Sequence, residues 1–184
     1  MTKLIALNGP PQCGKDTLAT ELAKTRGYIH VKLATPLRIM ATMMVDGVGA
    51  DYERLKSVEQ ELTKENMRAT MIWLGESIKK KYGQDYWARR LGLENKSGRS
   101  YVISDLGFDA ELWYFVKMLG PKNVVVVHIR RNGCDFSKDS RGWVDPNNWV
   151  SIRKPRVIEI ENNDSSTDMY SQLIDILGEW ERSE

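Results

Sequence analysis

Cysteine, histidine and excess charge are all scarce in this sequence. Only two cysteines occur among 184 residues, Cys13 and Cys134. With no CxxC pair and no histidine at zinc spacing, they suggest neither a disulfide framework nor a metal cage, and two reduced thiols are expected. The 27 Lys and Arg against 25 Asp and Glu leave +2, too little for a chain whose main work is coating nucleic acid or an anionic membrane. No stretch approaches the ~20 apolar residues of a spanning helix, and the start MTKLIALNGPP lacks the apolar core of a secretory signal, so a cytoplasmic location is expected. Internal repeats and low-complexity tracts are also lacking. What is present in ordinary measure is 41% hydrophobic and 28% charged residues, the composition of a single folding domain with room for a lid or small insert.

The apolar run KLIAL (3 to 7) ends at a Gly/Pro cluster and predicts a buried strand feeding a loop. Asp16 to Arg26 carries Leu18, Ala19, Leu22 and Ala23 at helical spacing, and YIHVKL (28 to 33) predicts a second strand with a break at Pro36. From Pro36 to Leu91 the pattern is helical, with Met40, Met43 and Met44 first, then Met67, Met71, Leu74, Ile78 and Tyr82 on one stripe. After the polar stretch LENKSGRS (93 to 100), YVIS (101 to 104) predicts a strand and Asp109 to Leu119 a helix. VVVVHI (124 to 129) is the strongest strand signal, and its four consecutive valines predict a central position covered on both faces. Residues 130 to 152 are polar and predict a loop or a mobile helical flap. VIEI (157 to 160) is a last strand. Ser165 to Glu181 is a closing helix with a Ser165/Asp168 capping-box spacing and Met169, Leu173, Leu177 and Trp180 facing inward. Such alternation predicts a parallel sheet with helices on both faces.

Residues 9 to 17, GPPQCGKDT, fit the phosphate-loop pattern G-x-x-x-x-G-K, with Asp16 where Ser or Thr is usual. The residue types suit that chemistry. Gly9 and Gly14 let the backbone turn tightly, so that N–H groups and the helix start face phosphate oxygens, with Gln12 contributing backbone. Lys15 supplies a flexible point charge for the β and γ phosphates, and Thr17 a hydroxyl towards the α-phosphate. Asp16 offers a hard oxygen to Mg²⁺, directly or through water. Cys13 is a small side chain within the loop, and a bound nucleotide is expected to block its modification.

Asp105 follows YVIS at a strand C-terminus, the side of a parallel sheet where ligands bind. It can hold Mg²⁺ through water, hydrogen-bond an acceptor substrate, or cap the next helix. Arg130 and Arg131 directly follow the valine strand, and Arg141 lies in the same polar segment. Arginines closing over a moving phosphoryl group stabilise its charge and exclude water, a role expected for Arg130 and Arg141. In the helical stretch, Arg68, Gly75 and Lys79 share a face opposite the Met/Leu/Ile stripe. Arg68 and Lys79 are about 16 Å apart along the axis, too far to clamp one phosphate, and Arg68 is the expected ligand. Trp73 and Trp87 could stack on a base, although a helical aromatic is more often core. His30 and His128 fall within strands, where a satisfied core histidine is expected.

The succession GPPQCGKDT, LATPLR (33 to 38), MRATMIWLGESIKKKYGQDYW (67 to 87), ISDLGFDAE (103 to 111) and IRRNGCDFSKDSRG (129 to 142) resembles the deoxynucleoside monophosphate kinases of bacteriophages. These are P-loop kinases that share the GKD variant with phosphomevalonate kinases. The resemblance implies an α/β P-loop NTPase three-layer fold with a parallel five-stranded sheet, a helical acceptor-binding insert at 36 to 91 and an Arg-rich lid at 130 to 152, all within one domain. It implies transfer of the ATP γ-phosphoryl group to a deoxynucleotide 5′-phosphate with Mg²⁺. Gly9, Gln12, Cys13, Gly14, Lys15, Asp16 and Thr17 would hold ATP. Arg68, Gly75, Trp87, Asp105 and Glu111 would line the monophosphate site. The family pattern has Arg where this chain has Gly107, which removes a charge from that site. The partners so implied are small-molecule nucleotides, with neither nucleic acid nor membrane; a homodimer is compatible with them, and a phage-encoded chain would work in the host cytoplasm. Two other readings fit the loop: another small-molecule kinase of the phosphomevalonate type, and a non-catalytic nucleotide switch. Against a switch, the guanine-reading NKxD motif is lacking.

Overall fold

The computed structural model describes residues 1–46, 64–93, 98–137, 139–149, 153–163 and 166–182. The chain divides into two compact units, Met1–Lys32 with Leu93–Glu184, and Leu33–Gly92.

The first unit is built on a five-stranded parallel sheet. Its strands are β1 (Lys3–Asn8), β2 (Ile29–Val31), β3 (Ser100–Ile103), β4 (Val124–Arg130) and β5 (Arg156–Glu161), in the spatial order β2-β3-β1-β4-β5. The central strand β1 pairs with β3 on one side and β4 on the other, with Ala6 opposite both Ile103 and Val126. The crossovers are helical: α1 (Lys15–Arg26), α5 (Asp109–Leu119) and the closing α6 (Ser166–Arg182) belong to this unit. In an open parallel sheet the chain leaves neighbouring strands in opposite directions at the switch point, and the crevice beyond their C-terminal ends takes ligands. Here that point is the end of β1, where the glycine loop begins.

Each strand owes its place to its pattern. All of Val124 to Ile129 is buried, as an interior strand covered on both faces requires. The edge strand β5 instead alternates, turning Ile158 and Ile160 inward and Glu159 and Glu161 outward. Met169, Leu173, Leu177 and Trp180 of α6 all pack into the same core as Leu18, Leu22, Val125 and Val127. Full burial of each such side chain contributes on the order of 2 kcal/mol. The Trp180 indole N–H donates to the Lys122 carbonyl at 2.8 Å, so the largest ring in that core leaves no polar atom unpaired. Ser165, half of the expected capping box, lies outside the described residues.

The second unit contains α2 (Ala34–Asp46), α3 (Lys64–Tyr82) and α4 (Tyr86–Leu91). Ala41, Met67 and Leu74 form its core, flanked by Leu37, Met71 and Ile78. The break expected at Pro36 does not occur: α2 begins at Ala34, and proline sits in its first turn, where its missing N–H costs no helical bond. Among the described residues, no helix is long and apolar enough to cross a membrane.

Candidate functional site

The loop between β1 and α1 folds as a closed cradle. Gln12 has φ 64 and Gly14 φ 104, and Gly14 is the N-cap of α1 with no side chain capping the helix start. Gly9 is required by space: a Cβ there would lie 2.6 Å from the Ile129 carbonyl oxygen and 2.8 Å from Cys13 Sγ. A Cβ on Gly14 would collide with the amide of Asn162, which itself donates to the Cys13 carbonyl at 2.8 Å. Asn162 follows β5, and its role as the loop's outer brace has no local sequence signal.

Lys15 turns inward. Its ammonium donates to the carbonyls of Gly9 (2.7 Å) and Pro10 (2.5 Å), with Cys13 Sγ at 3.5 Å. Lys15 is only 8% exposed. Burial pulls its pKa below the usual lysine range; Cys13 opposes this, while the charge of Arg141 adds to it. Among the described residues no carboxylate forms an ion pair with it; loop carbonyls hold the buried cation, with the charge of Asp16 in support. Cys13 is fully buried, and burial pushes its thiol pKa up, with Lys15 opposing. Its expected protection by nucleotide is therefore supplied by the fold itself. Thr17 and Gln12 are exposed.

Asp16 is held from the ends of β2 and β3. Ser104 Oγ donates to Oδ1 at 2.6 Å and Lys32 Nζ to Oδ2 at 2.9 Å. His30 Nε2 meets the same Ser104 hydroxyl at 2.8 Å. Burial would raise the Asp16 pKa, but the hydrogen bonds from Ser104 and Lys32 outweigh it and hold the carboxylate below its usual range. Asp105 adjoins this cluster, and its charge is felt by both His30 and Arg141. It does not cap α5, whose N-cap is Phe108. Glu111, in the first turn of α5, is buried and accepts from the Gly107 N–H at 3.3 Å.

The segment expected as a mobile flap is strapped to the sheet across residues 141–144. Buried Asn8, the last residue of β1, donates to the carbonyls of Leu106 and Gly142, each at 3.0 Å, and accepts from the Val144 N–H at 3.1 Å. His128 supports the strap from β4, its Nε2–H donating to the Val144 carbonyl at 2.9 Å. A carbonyl can only accept, so this nitrogen carries the proton. Burial lowers the His128 pKa, in keeping with a neutral structural imidazole.

Arg141 rises from this strap. Asp139 accepts from its Nε at 2.9 Å and its Nη2 at 2.6 Å. Its stem crosses Gly107, where a Cβ would fall on the Arg141 side chain. Gly107 thus leaves room for an arginine from another segment. Arg130 takes a different course: it donates to Glu159 from Nε (3.3 Å) and Nη2 (2.9 Å) and stacks on Trp143, 4.6 Å from the ring centroid. Arg131, given no role by the sequence, reaches the glycine loop by donating to the Gln12 carbonyl at 3.2 Å. Arg130, Arg131, Phe136, Trp143 and Asn163 line a cleft of about 300 Å³ that opens beside Pro10 of the loop.

In the second unit, Gly75 and Lys79 are buried while Arg68 is exposed. Their face therefore flanks the apolar stripe rather than opposing it: successive residues turn 100°, which places Gly75 and Lys79 about 90° from the stripe's centre. Gly75 lies against Leu37 and Trp87, with a Cβ position 3.3 Å from Leu37 Cδ2 and 4.0 Å from Trp87 Nε1. Trp87 is 3% exposed, whereas Trp73 is 60% exposed. Among the described residues the Trp87 indole N–H is a buried side-chain donor with no hydrogen-bond partner. Arg68, Gly75 and Trp87 belong to this unit, and Asp105 and Glu111 to the other.

The donor set suits Mg²⁺ in its usual mode, one or two carboxylates with waters and phosphate oxygens completing the shell. Asp16 and Asp105 supply hard oxygens beside the loop. Each Asp16 oxygen already accepts one bond, which favours contact through water. Among the described residues, no group of three or more His, Cys, Asp or Glu could form a protein-only cage.

The parallel sheet order, the glycine loop after β1 and the lysine opening α1 define an α/β P-loop fold. No protein-family model matches the sequence, and no curated protein matches it. Among solved structures, the chain is similar to a gluconokinase from Sinorhizobium meliloti 1021 (13% identity, TM-score 0.44, covering 99% of this chain and 98% of that one). It is also similar to shikimate kinase from Aquifex aeolicus (12%, 0.45, 98% and 99%) and dephospho-CoA kinase from Campylobacter jejuni (11%, 0.41, 97% and 97%). With TM-scores under 0.5, these likenesses carry no weight beside the loop geometry.

Proposed function

We propose that this chain is an ATP-dependent small-molecule kinase whose acceptor is a deoxynucleoside 5′-monophosphate, as in phages. The observation that carries the phosphoryl-transfer reading is the buried Lys15 ammonium, held by carbonyls without an acidic partner and within electrostatic reach of Arg141. A cation buried in a glycine cradle at a sheet's switch point, with the charge of a second cation felt there, suits a polyanion.

In this reading the triphosphate lies in the cradle, and its nucleoside end occupies the cleft beside Pro10, against Arg130 and Trp143. Lys15 exchanges loop carbonyls for β and γ oxygens, a short swing for a four-carbon stem. Arg141 faces the charge that spreads over the transferring group. An oxygen of the acceptor phosphate attacks Pγ in line, the bond from Pγ to the β–γ bridging oxygen breaks, and ADP leaves with that electron pair. Mg²⁺ held through water by Asp16 and Asp105 would neutralise charge on the β and γ phosphates. Acceptor-binding roles are proposed for Arg68, Gly75 and Trp87 within the second unit and, separately, for Asp105 and Glu111 within the first. The unpaired Trp87 indole N–H supports that assignment, since a nucleotide oxygen is the acceptor it lacks.

A coupled ADP-release assay over the four dNMPs, the matching NMPs and phosphomevalonate tests this directly. ADP production that depends on dNMP supports the proposal. Release with phosphomevalonate alone, or a basal ATPase indifferent to every acceptor, refutes it.

A further inference from the structure

We infer that Gly107 and Asp139 are positioning residues that together seat the Arg141 guanidinium. The role assigned to Arg141 in catalysis rests on the proposed kinase reading; the seat itself does not.

Two independent features make the seat. The first is empty volume at Gly107. Its backbone is not in the left-handed region, so glycine is not needed for conformation. It is needed because any Cβ would coincide with the aliphatic stem of Arg141, whose own Cβ would be 2.9 Å away. The second is the Asp139 carboxylate, whose side chain is 5% exposed against 27% for Arg141. It accepts from the Arg141 backbone N–H at 3.1 Å as well as from Nε and Nη2. Three bonds to one carboxylate fix both the backbone and the plane of the guanidinium. Around this pair, Asp105 and Glu111 add negative potential at Arg141, and Arg141 in turn adds positive potential at Lys15.

A guanidinium so held costs little reorganisation when a phosphoryl group arrives, so displacing it should lower kcat rather than weaken nucleotide binding. Three variants of the full chain test this: Gly107→Ala, Asp139→Asn and Arg141→Ala, with the Gly107→Ala/Arg141→Ala pair completing a double-mutant cycle. Gly107→Ala and Asp139→Asn should each reduce kcat by roughly a hundredfold with the KM for ATP changed by less than about threefold. Gly107→Ala should cost less than about a further twofold once Arg141 is gone. Unchanged kcat in both single variants at native melting temperature, or losses that multiply in the double variant, would overturn the inference. Should Gly107→Ala fail to fold, Asp139→Asn carries the same kinetic test, since it keeps the side-chain shape.

A readout free of catalysis separates this inference from the kinase reading. In the ¹⁵N-labelled protein, the Arg141 Nε–H signal, assigned by its loss in Arg141→Lys, should be protected from solvent exchange in wild type and lose protection in Asp139→Asn. If that holds while no acceptor supports turnover, the seat stands and the kinase reading falls. An unprotected signal in wild type overturns the seat.

Discussion

Replacing Asn8 by alanine tests the strap from its anchor. Asn8 sits with no exposed surface at the end of the central strand, and its amide joins three backbone groups on two segments: Leu106 O, Gly142 O and Val144 N–H. Alanine removes all three bonds and leaves the partners where water has little access. At about 1 kcal/mol net for each bond, the loss is roughly 3 kcal/mol, and more if the carbonyls stay dry. In a domain of this size that lowers Tm by about 6 to 12 °C. Asn8→Asp would be at least as costly, because it faces a carboxylate against two carbonyl oxygens. The assay is thermal unfolding followed by circular dichroism, alongside initial-rate kinetics at a temperature where both proteins are folded. Since Gly142 adjoins Arg141, kcat should fall together with stability. A Tm within about 1 °C of wild type would refute the reasoning, for it would mean that these bonds are replaced without loss.

Three further outcomes follow from the same geometry. Gly14→Ala should abolish nucleotide binding, because an L side chain at φ 104 is strained and its Cβ strikes the Asn162 amide; equilibrium dialysis with ATP checks it. A small thiol reagent should label Cys134 in the native protein and Cys13 only after unfolding, since Cys13 is buried and Cys134 half-buried; intact-mass spectrometry reads the count. The third outcome concerns pH. Burial holds the His128 pKa below its ordinary value near 6.5, so in the window below 6.5 the unfolded chain binds the proton more readily than the folded one. Stability should therefore decline as pH falls from about 7 through that window, and urea titrations of His128→Gln should show a shallower decline.

The sheet was legible because buried parallel strands are written as short apolar runs, and KLIAL and VVVVHI both became strands of the core. The phosphate loop was legible for a related reason: its glycines and lysine act within nine consecutive residues, so the whole device fits in one window of sequence. What a sequence window does not mark acts over distance. Asn8 reaches Gly142 and Asn162 reaches Cys13, partners 134 and 149 positions apart, and a lone asparagine carries no mark of such a contact. Ser104 and Asp139 are unmarked in the same way. The face of α3 bearing Gly75 and Lys79 was misjudged because apolar periodicity identifies a stripe's centre better than its width. Lys79, buried as a whole residue, extends the buried region beyond it. Arg130 and Arg131 are neighbours with different partners: Glu159 on β5 and the Trp143 ring hold Arg130, and the Gln12 carbonyl holds Arg131.

The central claim is that residues 9 to 17 hold the phosphates of a nucleoside triphosphate around Lys15. Calorimetric titration of ATP with magnesium into wild type and Lys15→Ala, at matched stability, measures it most directly. Saturable binding by wild type that weakens by roughly ten- to a hundredfold in the variant is the predicted result, the worth of charged hydrogen bonds to phosphate. Equal affinity in the two proteins, or no heat in either, would contradict it.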